Sequence, residues 1–343
     1  VIPDVYGHAW RRARSDVRQH VVARRDDSNE QTGMNTMGTS QNFEGKTVLI
    51  TGASMGLGEG FAHGFAAAGA DLILTARSED LLDGVAAVCR EAGSTVTVVP
   101  GDVSVEDDVA RVVAAGVEAH GKIDVLINNA GVSDMRGVAP EQFDMETWNW
   151  IMSVDLNGAF MYLRDVGRHM LETGGGSIVN IASIMGHGAN ELNIIAYTAA
   201  KGALRNITLQ LGCEWADRGV RVNSVSPGFI VTEMVRPAIE GMGMDKWIAS
   251  RTPMRRIGEL SEIVDPVMFL ASDGAAYITG HDLNVDGGTN AANGYYQIPP
   301  IHQDWNTDTP RIGEGYPGVV PRPDWYQAMS AGIPGIHYDP PAE

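Results

Sequence analysis

The stretch Thr47–Gly58, TVLITGASMGLG, constrains the fold more than any other part of the chain. A short apolar run, Thr47–Thr51, leads directly into Gly52, Gly56 and Gly58, and a helical pattern follows. Gly52 permits a tight turn, Gly56 lets the backbone approach a phosphate, and Gly58 lets a helix pack closely on the strand. The start of that helix offers unpaired N–H groups and the positive end of its dipole. A strand, a glycine loop and a helix in this order form a cradle for a diphosphate, with Gly52, Ser54, Gly56, Leu57 and Gly58 as its candidate lining.

The same alternation continues downstream. Further strand candidates are Leu72–Ala76, Val96–Val99, Val125–Asn128, Ile178–Ala182, Val220–Val225 and Leu283–Val285. Most lack clean period-two patterning, which suits strands buried on both faces. Helical patterns at Glu59–Ala68, Glu79–Ala92 and Val105–His120 lie between strands. The expected fold is α/β, a parallel sheet with helices on both faces. It occupies residues 43–289. Residues 1–42 are polar, without periodicity, and are expected to form a disordered arm. Residues 290–343 are rich in Pro, Gly and aromatics, including Tyr295, Tyr296, Trp305 and Trp325. This extension is expected to lie along the surface of the domain or of a neighbouring subunit.

Charge and cysteine usage narrow the partners. A net charge of −18 argues against nucleic acid, which is bound through clustered Lys and Arg. No apolar run is long enough to span a membrane, and no apolar segment follows Arg11, Arg12 and Arg14 to make a secretory leader. Cys89 and Cys213 stand far apart with no metal-ligand spacing, so no metal is expected and a reduced, cytoplasmic setting fits.

The end of the second strand reports on the nucleotide. A site for NAD(H) places a carboxylate there to hold the ribose 2′-hydroxyl. This chain has Leu74-Thr75-Ala76-Arg77-Ser78, and Arg77 is suited to a 2′-phosphate. NADP(H) is therefore favoured, with NAD(H) as the alternative.

Taken with Asn128-Asn129-Ala130-Gly131, Tyr197-x-x-x-Lys201, Pro227-Gly228 and the closing Val285-Asp286-Gly287-Gly288, these features closely resemble the short-chain dehydrogenase/reductase family. The resemblance runs from about Phe43 to Thr289. It implies a single Rossmann-type domain with a seven-stranded sheet. It also implies that Asp102 and Val103 lie at the adenine, that Asn129, Ala130 and Gly131 wall the cofactor ribose, and that Pro227, Gly228, Ile230 and Thr232 flank the nicotinamide. Asn128 has the plainer alternative of stitching neighbouring strands together. Homodimers or homotetramers are implied as well.

Tyr197 and Lys201 lie four apart in a helical segment, Tyr197–Leu211, and so share one face. A phenol ordinarily ionises near pH 10, and a neighbouring ammonium favours its anion. Tyr197 can then pass a proton to or from substrate while Lys201 holds the ribose hydroxyls. By the resemblance, Ser183 hydrogen-bonds the substrate oxygen, with a spacing to Tyr197 about one residue longer than usual. The family usually places an asparagine in the helix that follows the Asn-Asn-Ala-Gly segment. Here the matching position is Asp155, which can accept from a water but cannot donate as an amide does. Asn157 points to another helical face.

Two loops are expected to choose the substrate. Gly186–Ile195 carries His187, expected to be a surface-loop histidine, and Phe229–Thr252 carries Met234, Arg236, Met242, Met244 and Trp247. The expected function is an NADP(H)-dependent oxidoreductase acting on a small ketone or secondary alcohol. Sugar-acid and cyclic-alcohol dehydrogenases remain open. So does 3-oxoacyl-carrier-protein reductase, though the chain's acidity and lack of a basic docking patch weigh against it. The reading from another class is a non-catalytic nucleotide-binding sensor or scaffold.

Overall fold

Seven runs of apolar and β-branched residues become strands: β1 Thr47–Thr51, β2 Asp71–Thr75, β3 Val96–Val98, β4 Val125–Asn128, β5 Gly176–Ile181, β6 Val220–Pro227 and β7 Asp282–Val285. In this computed structural model the described residues are 41–134, 138–188, 192–232 and 244–292, with the backbone alone at 244–247. Only Gln41 and Asn42 of the expected arm, and 290–292 of the extension, are among them. The strands pair in parallel in the order β3-β2-β1-β4-β5-β6-β7. Strand ends differ from expectation by at most two residues.

The helices are α1 Gly56–Ala67, α2 Glu79–Glu91, α3 Glu106–His120, α4 Met145–Met152, α5 Ala159–Thr173, α6 Ile195–Glu214, α7 Met244–Arg251 and α8 Ser261–Ala271. They cover both faces of the sheet, and the strand side chains divide accordingly. Val48, Ile50, Leu72, Leu74, Val125 and Ile127 pack with α1, α2 and α8. Leu49, Ile73 and Leu126 point the other way, toward α3, α5 and α6. With oil on both sides, these strands gain nothing from polar alternation, and each buried Leu or Ile contributes roughly 1.5–3 kcal/mol. Among the described residues no helix is long and apolar enough to cross a membrane.

The sheet order reverses between β1 and β4, so their C-terminal ends open a crevice, where ligands bind in doubly wound folds. The glycine loop leaves β1 at this point, and Asn129–Gly131 leaves β4 beside it. Helix α1 begins at Gly56 rather than at the expected Glu59, because its first turn is built from the glycines themselves.

One departure from a plain helix bears on the site. Between α4 and α5 the backbone widens into a π-helical turn, Ser153–Gly158. Such turns recur at functional sites because they re-aim side chains. Here Val154 and Asp155 face the interior, while Asn157 is exposed.

Candidate active site

The cofactor side of the crevice is shaped by missing side chains. Gly52 and Gly56 adopt φ +65° and +59°. A Cβ on Gly58 would stand 2.1 Å from Gly52 O and 2.8 Å from Asn129 Nδ2, so only glycine lets α1 close onto the loop. Among the described residues a Cβ on Gly56 would meet only Thr232, at 3.9 Å. Met55, at the N-cap, makes no side-chain capping bond, so no capping side chain takes up the first N–H groups of α1. This arrangement fits a diphosphate.

Asn129 laces the two strand ends together. Its N–H donates to Thr51 Oγ1 at 2.9 Å, and its Nδ2 donates to Thr51 O at 2.9 Å and Gly52 O at 3.2 Å. Ala130 N also donates to Thr51 Oγ1. Asn128 instead bonds Ala159 O and Asn180 Oδ1, the stitching role. Arg77 is exposed just beyond β2, with no ion pair to a described residue. Asp102 and Val103 lie in the loop after β3. The Asp102 carboxylate accepts from Ser104 N and Oγ, and Val103 is buried against α5 and the π turn. Pro227 ends β6, Gly228 N donates to Val285 O, and Ile230 turns its side chain into the core beside α8.

The opposite wall is made of buried polar side chains. Ser183 follows β5, is 7% exposed, and its Oγ accepts from Met185 N at 3.1 Å. Tyr197 and Lys201 project from α6, with Lys201 Nζ 5.7 Å from the Tyr197 ring centroid. The ammonium is almost wholly buried. It donates to Ile181 O at 3.0 Å and stands 3.5 Å from Asp155 Oδ2. Asp155 is fully buried, its Oδ1 accepting from Val132 N at 2.7 Å while Oδ2 has no hydrogen-bond partner of good geometry. Gly131 leaves room for both groups, since a Cβ there would lie 3.2 Å from Lys201 Nζ and 3.3 Å from Asp155 Oδ2.

Burial pushes the Asp155 carboxyl above its ordinary range, and the Lys201 charge and the Val132 amide only partly offset this. A carboxyl held toward its protonated form is a donor as well.

His187, expected at the surface of its loop, is largely enclosed. Its side chain is 10% exposed and closely partnered rather than solvated, with Nε2 2.6 Å from Asp282 Oδ2. Nothing local marks it, because the partners come from β6, β7 and the turn after β7. Met234, Arg236 and Met242 lie outside the described residues, as do the side chains of Met244 and Trp247. A cavity of about 490 Å³ opens beyond β6 and β7, lined in part by Phe229, Met254, Val285 and Asp286. Ser183, Tyr197 and Lys201 do not line it. Among the described residues no cluster of His, Cys, Asp and Glu is arranged to hold a metal.

The profile of a family described as enoyl-(acyl carrier protein) reductase matches residues 52–290. Glucose 1-dehydrogenase of Gluconobacter oxydans is 40% identical over 247 residues, covering 72% of this chain and 92% of the relative. Gluconate 5-dehydrogenase of the same organism is 36% identical, covering 72% and 95%. A solved structure from Beutenbergia cavernae, provisionally described as an NAD(P)-dependent gluconate 5-dehydrogenase with NADP bound at low occupancy, superposes with a TM-score of 0.69 at 34% identity. It covers 74% of this chain and 99% of that one. The chain belongs to the short-chain dehydrogenase/reductase family, nicotinamide-dependent oxidoreductases that act on alcohol groups.

Proposed function

We propose that this protein is an NADP(H)-linked dehydrogenase that interconverts a polyhydroxylated secondary alcohol, of sugar or sugar-acid type, with its ketone. The observation that carries the chemistry is the buried Lys201 ammonium beside Tyr197, fixed by Ile181 O and Asp155. The substrate class is supported by the relatives named above, and the cofactor form by Arg77 standing where a ribose-binding carboxylate would otherwise be.

The nicotinamide supplies the hydride acceptor or donor. Every proton movement falls to this chain. Ser183 donates a hydrogen bond to the substrate oxygen and stabilises the charge that develops on it. In oxidation the Tyr197 oxygen takes the hydroxyl proton, and in reduction it returns one. Lys201 stabilises negative charge on that phenol oxygen and holds the ribose hydroxyls. Asp155 faces Lys201 from the interior and acts as the inner member of the proton path. The glycine loop and the start of α1 would hold the diphosphate, Gly131 and Ala130 the ribose wall, and Arg77 the 2′-phosphate.

The test is turnover of the full chain with NADP+ and NAD+ against D-gluconate, D-glucose, galactitol and cyclohexanol, followed at 340 nm. The expected result is oxidation of a polyol or sugar acid with higher kcat/KM for NADP+. Tight NADPH binding without turnover of any alcohol or ketone would instead support a nucleotide sensor.

A further inference from the structure

Behind the turn that carries Ser183 lies a polar cluster that the proton chemistry leaves unused. Asp282, at the start of β7, is 3% exposed in its side chain, and its carboxylate gathers donors from three segments. Ser224 Oγ and Ser226 Oγ of β6 donate to Oδ1 at 2.5 and 2.9 Å. Arg205 Nε of α6 donates to Oδ2 at 3.2 Å, and His187 Nε2 lies 2.6 Å from the same oxygen. On the other edge of the ring, Asn290 Nδ2 stands 3.0 Å from His187 Nδ1. Asn290 is itself anchored, its backbone N–H donating to Asp286 Oδ2 at 2.6 Å. Nε2 also lies 3.1 Å from Ser226 Oγ, so one edge of the ring meets the carboxylate and its serine partner while the other edge meets the Asn290 amide.

The connection from this ring to Ser183 is short and stiff. Residues Ile184–Gly186 form one 3-10 turn, closed by Gly186 N to Ser183 O at 2.9 Å and His187 N to Ile184 O at 3.1 Å. Gly186 is pressed on α6, where a Cβ would stand 2.8 Å from Gly202 N. Fixing the imidazole at one end of this turn therefore fixes the serine hydroxyl at the other.

We propose that His187 is a positioning residue: clasped between Asp282 and Asn290, it holds the Ser183 turn in register with β7 and with the foot of the C-terminal extension, and so sets the hydroxyl that meets the substrate. The inference rests on the reading that Ser183 contacts the substrate oxygen. The ring reaches both sides at once, Asp282 and Ser226 from one edge and Asn290 from the other. Small displacements of a group that orients substrate are costly in rate.

The test compares full-length His187→Ala and His187→Gln with the parent. The readouts are oxidation of D-gluconate with NADP+, NADP+ affinity by fluorescence titration, and amide hydrogen exchange over 184–188. In His187→Ala the kcat for D-gluconate oxidation is expected to fall about tenfold, the scale of a lost hydrogen bond to a charged group. NADP+ affinity should stay within about twofold, and exchange at 184–188 should accelerate. His187→Gln retains an Nε2 donor toward Asp282 and should recover most of both effects. Unchanged kinetics and exchange in His187→Ala would overturn the clasp. So would equal losses in both variants with NADP+ affinity falling in parallel. Ser183→Ala separates the two claims. Full activity there overturns the role of Ser183 itself, whereas inactive Ser183→Ala beside unperturbed His187→Ala overturns the clasp alone.

Discussion

The two walls of the crevice are built on opposite principles. The β1–β4 wall is defined by atoms that are missing: Gly52, Gly56 and Gly58 line it with backbone alone, and Asn129 braces that backbone from behind. The β5–α6 wall is defined by polar side chains held in the dry interior, with Lys201, Asp155 and Ser183 all buried. The first wall has few ways to vary without a collision. The second depends on charge and hydrogen bonding that reach it from distant segments. Substitutions should therefore fail differently, the first wall losing cofactor and the second losing chemistry.

The largest separation is expected from Tyr197→Phe. Removing the phenol oxygen should lower kcat by about a thousandfold, within the range of general acid–base catalysis, and leave NADPH affinity within a few-fold. Stopped-flow hydride transfer and a binding titration measure the two quantities. Near-normal turnover would place the proton donor elsewhere. Gly58→Ala probes the other wall. Its methyl would press on Gly52 O and Asn129 Nδ2, backbone and braced amide that cannot move aside, so a loss of about 1–3 kcal/mol is expected in stability and cofactor binding. Gly84→Ala in α2 is the control, since nothing lies within 4 Å of its added methyl. It should stabilise the helix by roughly 0.5–1 kcal/mol. If the two alanines behave alike in thermal unfolding and NADPH titration, the steric account of the first wall is wrong.

The same contrast explains what the sequence makes legible. A glycine whose absent Cβ is required shows as a residue type at a fixed spacing, so the loop from Gly52 to Gly58 is visible in one dimension. The strands are equally visible, because burial on both faces demands short continuous apolar runs. Tyr197 and Lys201 are visible as a pair because one helix carries both. What surrounds them is not. Lys201 is fixed by a main-chain carbonyl of β5, which has no sequence signature. Asp155 reaches it because six residues adopt a π turn where helical periodicity predicts an ordinary helix. His187 reads as a solvated loop residue because its neighbours in sequence are small and polar, whereas its neighbours in space are Asp282, Ser226 and Asn290.

Arg77 belongs to the first wall but works by charge, so it tests whether the division is by location or by physics. It is exposed, and a phosphate contact there is a charge-assisted bond partly screened by solvent. Arg77→Ala should weaken NADPH by about tenfold while leaving NADH within twofold, the scale of one such bond. Equal losses for both cofactors, measured by fluorescence titration, would remove the case for the phosphate form.

The smallest effect expected is also the most diagnostic of the second wall. Asp155 is buried beside Lys201, and desolvation raises its carboxyl above the ordinary value of 3.8. For a group whose folded value is raised, the associated stability is fully present below the unfolded value and is lost as pH climbs through the folded one. Between those values the unfolded chain has released a proton that the folded protein still holds. Asp155→Asn removes this term but also takes a potential counter-charge from Lys201, so its stability offset from the parent has no fixed sign. The pH slope does have one. Melting temperatures taken from pH 4 upward should shift in favour of the Asn variant as pH rises, and the shift should level off once pH has passed the folded value. An offset constant across that range would mean that Asp155 is already ionised and balanced by Lys201 at pH 4. The second wall would then hold a fixed ion pair rather than a carboxyl able to exchange a proton.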